Sequence, residues 1–189
     1  LDYKLREELR EQLPELFAGR GAVVVYATSE PEEALLLGGY TALMDDGVVT
    51  QFGPTSEIYR HPANLTAARV FSDPPINAAE VTKTGTEAAL PTGARWALDG
   101  KAAELPDGRY TVAVRPHRVL PMRAGERDVE LKGTVLVTEL SGSDSSAHFR
   151  VGDVDWVSLS SGVHPYEVGE DHTFFMDPTH CRYFGADGA

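Results

Sequence analysis

The sequence predicts two fold classes in succession, an α/β segment over residues 1–74 and an all-β barrel or sandwich over residues 75–189. The first segment alternates helical patterns with a buried apolar run, which is typical of an α/β sheet. The second contains short alternating runs separated by Gly, Pro, Asp and Ser, which is typical of small all-β domains. A chain of 189 residues has room for one ordinary domain or two small ones.

The first segment is predicted to begin with a helix and a buried strand. The helix runs from about Asp2 to Phe17, where apolar residues recur at helical spacing and Arg, Glu and Gln occupy the other face. The strand covers residues 22–26, a short apolar run after Gly21. A parallel sheet needs neighbouring strands, so we expect most of this sheet to lie upstream of Leu1.

A second helix is predicted after this strand. Pro31 fits the first helical position, and Gly38-Gly39 end the helix. Either Ser29 or Glu30 is expected to cap its beginning.

A tight hairpin and a third helix are predicted next. Two strands, Tyr40–Met44 and Val48–Phe52, flank Asp45-Asp46-Gly47, and Asp-Gly supplies the left-handed conformations that a short turn needs. The helix starts within residues 53–57 and ends near His61-Pro62.

Seven strands are predicted in the second segment, because each run alternates in polarity and is bounded by turn residues. They are Glu80–Lys83, Ala94–Leu98, Tyr110–Arg115, Glu130–Leu140, Ser146–Val151, Val154–Ser158 and His172–Met176. Residues 140–144 between two of these runs are predicted to form a β-turn.

A series of short motifs between residues 28 and 77 stands in one order and spacing. They are Thr28-Ser29-Glu30, Glu33-Ala34, Asp46-Gly47 with Gln51 and Gly53, Ile58-Tyr59 with Pro62, and Pro75-Ile76-Asn77. Together they resemble the ATP-binding subunits of ABC importers, in the subfamily that energises sugar, polyol and glycerol-phosphate uptake. Leu1-Asp2 resembles the D-loop of that family.

After Asn77, the resemblance implies an OB-like barrel, the transport-associated OB domain called TOBE. Residues 110–116 resemble its Gly-Ile-Arg-Pro segment, and residues 133–142 resemble its Val-x-Val-x-Glu-x-x-Gly segment. His117 stands where the family usually has Glu. The implied fold is therefore an α/β fragment of an ABC nucleotide-binding domain followed by an all-β TOBE barrel.

The resemblance also implies where nucleotide would bind in a full-length dimer. Asp2 matches a residue at the contact between two ATP-binding subunits, and Thr28 and Ser29 match residues beside the nucleotide. At the position of Ser29 the family carries a His that reaches the γ-phosphate, and serine is shorter and has no imidazole. We therefore expect no intact catalytic residue here. Serine is also a common helix cap, so both roles remain open.

Motifs for phosphate binding are missing from the sequence. No G-x-x-x-x-G-K-[ST] run occurs, and Gly100-Lys101 lacks the spaced first Gly. We expect no ATP hydrolysis by this chain alone. ATP and Mg²⁺ are expected as cofactors of the full-length subunit only.

Charge and composition limit the partners. The net charge is −12, and no basic stretch offers a surface for nucleic acid. The resemblance implies a second copy of the subunit and membrane-spanning transporter subunits as partners, at the cytoplasmic face of the membrane. It also allows a small molecule or a regulatory protein as a ligand of the OB-like domain.

An alternative reading is a free-standing OB-type module that binds a small anion or a saccharide. A metal site is not expected, because His164, His172 and His180-Cys181 match no common zinc spacing. The aromatic residues of the C-terminal strands are expected to serve packing rather than stacking on a ligand. They are Tyr166, Phe174, Phe175, Tyr183 and Phe184.

Overall fold

The computed structural model of this chain describes residues 23–185, together with residues 12, 13, 21 and 188. Contacts divide the chain into two compact units, Leu1–Phe71 and Ser72–Ala189. The predicted helix Asp2–Phe17 and the candidate site residue Asp2 lie outside the described residues, except for Gln12 and Leu13, which are helical. Within the described ranges, no helix is long and apolar enough to cross a membrane.

In its described residues, the first unit contains two of the three predicted helices, the predicted hairpin and a further short helix. The elements are α1 (Pro31–Leu37), β1 (Tyr40–Asp45), β2 (Val48–Pro54), α2 (Thr55–Arg60) and α3 (Leu65–Val70). Pro31 opens α1 and Gly38 caps its end, as predicted. The turn between β1 and β2 places Asp46 at φ 46° and Gly47 at φ 77°, which confirms the Asp-Gly hairpin.

The prediction of a strand at residues 22–26 is wrong for the four of these residues that the structure describes, 23–26. Residues 23–26 have no regular secondary structure. The side chains of Val23 and Val25 are 95% and 93% exposed. A strand needs a neighbour to pair its backbone groups, and in the described part of the chain no strand pairs with this run. The apolar pattern alone therefore did not produce a strand.

A small apolar core holds the first unit together. Leu43 of β1, Ile58 of α2, Ala67 of α3 and Phe71 are all buried. Tyr59 packs edge-on to Phe71, with 6.4 Å between the ring centroids. These contacts pack the hairpin against the two helices that follow it.

In its described residues, the second unit contains ten strands and one short α-helix. They are β3 (Asn77–Thr84), β4 (Glu87–Ala89), β5 (Arg95–Ala97), α4 (Gly100–Glu104), β6 (Gly108–Val114), β7 (Val119–Leu120), β8 (Val129–Ser141), β9 (Asp144–Val151), β10 (Val154–Ser161), β11 (Asp171–Met176) and β12 (Arg182–Phe184). All seven predicted strands are present. The sequence did not predict β4, β7 and β12, which have only two or three residues each.

The ten strands form two antiparallel sheets, with strand orders β10-β9-β8-β11-β7 and β12-β6-β3-β4-β5. The predicted turn at residues 140–144 is confirmed, because it joins β8 to β9 with Gly142 at φ 65°. The sheets enclose one core, and the fold is a nearly closed barrel. The predicted fold class is therefore confirmed.

The core of the barrel combines side chains from both sheets. Phe149, Trp156 and Phe174 come from one sheet, and Val81 and Val112 come from the other. The rings of Phe149 and Phe174 stack with their centroids 3.8 Å apart. Because each sheet buries only one face, the alternation read from the sequence matches this arrangement.

The side chain of Asn77 joins the two sheets directly. Asn77 is 2% exposed and begins β3. Its Nδ2 donates to the carbonyl of Val157 in β10 at 2.7 Å, and its Oδ1 accepts from the amide of Val157 at 2.6 Å. Nearby, Trp156 Nε1 donates to the carbonyl of Ala78 at 3.3 Å. The amide side chain thus pairs with a peptide unit as a neighbouring strand would.

Gly133 of β8 lies where the chain passes very close to β9. A Cβ atom at this position would lie 2.4 Å from the carbonyl oxygen of Arg150 and 2.8 Å from Cδ2 of Phe149. Backbone atoms cannot move aside as a flexible side chain can. Only glycine fits here without a shift of the two strands.

We expect Asn77→Ala to lower the free energy of unfolding by about 2–5 kcal/mol, because it leaves the buried amide and carbonyl of Val157 without partners. Urea unfolding followed by tryptophan fluorescence measures this, since both tryptophans lie in the second unit. The matched control is Thr82→Ala, at an exposed position of the same strand, with an expected change within about 0.5 kcal/mol. Equal losses in the two variants would contradict the role of Asn77.

We expect Gly133→Ala to lower the free energy of unfolding by about 1–3 kcal/mol or more, because its methyl group overlaps the backbone of β9. The control is Gly108→Ala, where the added Cβ would lie 3.9 Å from Tyr110 Cε2, an ordinary contact. Urea unfolding of both variants tests the difference. A Gly133→Ala protein as stable as the Gly108→Ala protein would show that the strands can separate at no cost.

Candidate functional site

The loop before α1 contains two of the residues that the sequence placed at the nucleotide, Thr28 and Ser29. The hydroxyl of Thr28 donates to Glu33 Oε2 at 2.5 Å and accepts from the amide of Glu30 at 2.9 Å. The side chain of Ser29 is exposed and makes no hydrogen bond within the part of the chain that the structure describes. The hydroxyl of Thr28 is therefore occupied by hydrogen bonds within the protein, whereas the hydroxyl of Ser29 is available to a ligand.

The N-cap of α1 is Glu30, one of the two residues that the sequence predicted. Glu30 occupies the N-cap position, but its side chain makes no capping hydrogen bond, and neither does that of Ser29. Instead, the Thr28 hydroxyl accepts the Glu30 amide and passes a hydrogen bond on to Glu33. In a capping box the third helical residue accepts the N-cap amide directly, and here Thr28 stands between them.

Sequence reasoning assigned Glu33 to the helix start and missed its burial. Glu33 is 7% exposed, and its Oε2 atom also accepts a hydrogen bond from the hydroxyl of Tyr26 at 3.0 Å. A glutamate is rarely buried unless its carboxylate is paired or hydrogen-bonded. The signal available in the sequence was the Glu at the third helical position after a Pro.

A concave site lies on the barrel, beside β11. Its lining residues are Val135, Pro165, Tyr166, Glu167, Glu170, Asp171 and His172. The rings of Tyr166 and His172 meet edge-to-face, 5.2 Å between centroids. Three carboxylates at this site oppose binding of an anion. The anion binding considered in the alternative reading therefore gains no support at this site.

The polar ends of this aromatic pair are buried. Among the described residues, Tyr166 Oη and His172 Nε2 have no hydrogen-bond partner, and neither does Ser160 Oγ. Burial raises the pKa of Tyr166, and the nearby hydroxyls of Ser160 and Ser158 oppose that rise. The phenol is therefore protonated at neutral pH.

The histidines and the cysteine weighed as metal ligands have separate contacts. His164 Nε2 lies 3.1 Å from the carbonyl of Ser161, and His180 Nε2 lies 3.8 Å from Asp177 Oδ2. Within the described ranges, no group of three or more His, Cys, Asp and Glu side chains is arranged to hold a metal ion.

The aromatic residues of the C-terminal strands make packing contacts, and Tyr166 also lines the concave site beside β11. Phe174 and Phe184 are buried in the barrel. The hydroxyl of Tyr183 accepts a hydrogen bond from Trp96 Nε1 at 2.7 Å. The guanidinium of Arg123 covers the ring of Phe175, 5.1 Å from its centroid.

His117, at the position where the resemblance expected Glu, lies among positive charges. Partial burial lowers the pKa of His117, and the positive charges of Arg118, Arg115 and His180 lower it further. A neutral imidazole is therefore favoured here. The barrel forms with His in place of Glu.

Comparison with known proteins agrees with these features. Residues 112–184 match the TOBE domain family. The sn-glycerol-3-phosphate import ATP-binding protein UgpC of Chromohalobacter salexigens is 33% identical over 193 residues, covering 100% of this chain and 51% of that protein. The uncharacterized ABC transporter ATP-binding protein YcjV of Escherichia coli O6:H1 is 27% identical over 99% of this chain and 53% of its own length.

Among solved structures, the cytoplasmic molybdate-binding protein ModG, in a form with molybdate bound, aligns with a TM-score of 0.42. It is 16% identical, and the alignment covers 57% of this chain and 94% of ModG. A likeness this distant carries no argument about the ligand.

The fold and the motifs agree with these matches: residues 112–184 are similar to the TOBE domain family, and the chain as a whole is similar to ATP-binding proteins of ABC importers. The resemblance read from the sequence is thereby confirmed. More particularly, its relatives include UgpC proteins, which are named for sn-glycerol-3-phosphate import. The chain spans about half the length of the curated relatives that it matches.

We expect Cys181 to resist alkylation while the barrel is folded. Cys181 is buried, and its Sγ lies 3.5 Å from the sulfur of Met176. Burial raises the pKa of the Cys181 thiol to about 12, so the reactive thiolate is scarce below that pH. Iodoacetamide at pH 8 should modify the native chain slowly and the urea-unfolded chain quickly, as mass spectrometry would record. Equal rates in both states would contradict this burial.

Proposed function

We propose that this chain works as part of the ATP-binding subunit of an ABC importer and helps to couple ATP binding and hydrolysis to solute uptake. The observation that carries the proposal is the 33% identity to a UgpC protein over the whole of this chain. The ordered motifs from Thr28 to Asn77 support the same conclusion, because a free-standing binding module needs none of them. Fold alone would not be enough, since one fold serves many functions.

In this proposal, nucleotide contacts the chain at the loop before α1. Ser29 has an exposed hydroxyl there, and Thr28 fixes the loop by its bonds to Glu30 and Glu33. Asp2 would contribute at the contact with a second copy of the subunit. The loop that holds the phosphates and Mg²⁺ would come from sequence outside these residues, so this chain alone would not hydrolyse ATP.

The partners follow from the same proposal. A second copy of the subunit would close around ATP, and membrane-spanning subunits would convert that closure into transport. The chain would then sit at the cytoplasmic face of the membrane. The TOBE barrel would support dimerisation and receive regulatory signals, either from a small molecule or from a protein. By analogy with the name of the UgpC relatives, the solute would be sn-glycerol 3-phosphate, and the resemblance read from the sequence also allows a sugar or a polyol.

The proposal is tested on the natural gene product, captured from its own cells with an antibody against this chain. We expect a mass about twice that of this chain, because the relatives are about twice as long. We also expect saturable binding of a fluorescent ATP analogue and slow hydrolysis of ATP. A product no heavier than this chain, with no ATP binding, would contradict the proposal and favour the free-standing module.

Replacing Ser29 tests whether this loop meets the nucleotide. In the natural gene product we expect Ser29→His to raise kcat for ATP hydrolysis by about tenfold or more, because an imidazole reaches further and can exchange a proton. The matched control is Ser56→His, at an exposed position of α2, with no expected change in kcat. Equal kcat values for all three proteins would place Ser29 away from the reacting phosphate.

A further inference from the structure

The buried carboxylate of Glu33 connects α1 to the loop that precedes it. Its Oε2 atom accepts from the hydroxyls of Tyr26 at 3.0 Å and of Thr28 at 2.5 Å. Both donors belong to the segment 23–30, which has no helix or strand of its own. These two bonds therefore attach an irregular segment to a helix.

The hydrogen bonds of Thr28 also connect the residues before and after Ser29. The amide of Glu30 donates to Thr28 Oγ1 at 2.9 Å, and Thr28 Oγ1 donates onward to Glu33. The residues on both sides of Ser29 are thus fixed in one network. The side chain of Ser29 takes no part in this network and is exposed.

Burying a carboxylate costs free energy unless hydrogen-bond donors contact it. The two donors therefore have to stay close to Glu33. Both hydroxyl bonds end on the same oxygen, Oε2. Charge-assisted hydrogen bonds of this kind are about twice as strong as neutral ones. Loss of this acceptor oxygen would release both donors and leave the loop without its attachment to Glu33.

We propose that Glu33 is a positioning residue: it holds the Thr28–Ser29–Glu30 loop so that the hydroxyl of Ser29 meets the reacting phosphate. This inference rests on the proposed function, because it takes ATP as the ligand of the loop. Glu33 itself touches no nucleotide. Its effect passes mainly through Thr28, whose hydroxyl donates to Glu33 and accepts from the amide of Glu30.

A positioning role predicts a particular kinetic pattern. Small misplacement of a group at the reacting centre lowers the rate by up to about a hundredfold. Nucleotide affinity depends mainly on the phosphate-binding loop and should change little. Glu33 should therefore govern kcat rather than the KM for ATP.

The test compares variants of the natural gene product in two measurements, ATP hydrolysis and hydrogen exchange at the Glu30 amide. We expect Glu33→Ala to lower kcat about tenfold to a hundredfold, with KM for ATP within about twofold, and to speed exchange of the Glu30 amide. Glu33→Gln keeps an oxygen that can accept both hydroxyls, so it should restore most of kcat and the slow exchange.

Two further variants complete the test. Glu32→Ala removes the exposed neighbouring carboxylate and should change neither measurement. Tyr26→Phe removes one of the two donors and should lower kcat by a few-fold. This variant tests the network if the Glu33→Ala protein does not fold. A Tyr26→Phe protein with unaltered kcat and exchange would overturn the network in that case.

The outcomes separate this inference from the proposed function. If the unaltered product hydrolyses ATP but Glu33→Ala leaves kcat and exchange unchanged, the positioning role is overturned and the proposed function stands. If Glu33→Ala raises KM as much as it lowers kcat, the residue supports binding in general and the inference fails. If the unaltered product neither binds nor hydrolyses ATP, the proposed function falls and this inference falls with it.

Discussion

The barrel depends on a side-chain amide that replaces a missing piece of strand pairing. Asn77 forms two hydrogen bonds with the peptide unit of Val157, so β3 of one sheet is joined to β10 of the other. Both groups are buried, where unpaired amides and carbonyls are costly, so the joint favours one relative position of the two sheets. The stacked rings of Phe149 and Phe174 and the contact at Gly133 fit inside the barrel that this joint helps to close.

The first unit is also held by hydrogen bonds to a buried polar side chain, but there they fix a loop. There the buried group is the carboxylate of Glu33, and its donors are two hydroxyls from an irregular segment. In the barrel, buried polar groups fix strands that pack into a large core. In the first unit the core is small, and a polar network fixes the exposed loop around Ser29 instead. Binding residues are often placed on loops that a more rigid element supports, and α1 provides that support here.

The two units also differ in how far their polar and aromatic side chains already have partners within the protein. The aromatic side chains of the barrel pack against each other or pair with Trp96 and Arg123, which leaves them little capacity for stacking on a ligand. The pocket beside Tyr166 is acidic, in keeping with the overall charge of −12. The hydroxyl of Ser29, by contrast, is exposed and without a hydrogen bond in the described structure. Under the proposed function, the exposed hydroxyl of Ser29 is the group of the first unit that would meet nucleotide.

The sequence by itself determined the elements whose causes are local. Pro31 and Gly38 bound α1, Asp46-Gly47 forms the hairpin turn, and alternation produces seven strands of the barrel. Tertiary structure decided the strands and hydrogen bonds that need a partner distant in the sequence. Residues 23–26 have strand composition but no neighbouring strand, whereas the short β7 forms because it pairs with β11. Asn77 and Val157 lie 80 residues apart, and no local pattern links such a pair, because sequence patterns report which face a residue takes and not which group it will meet there.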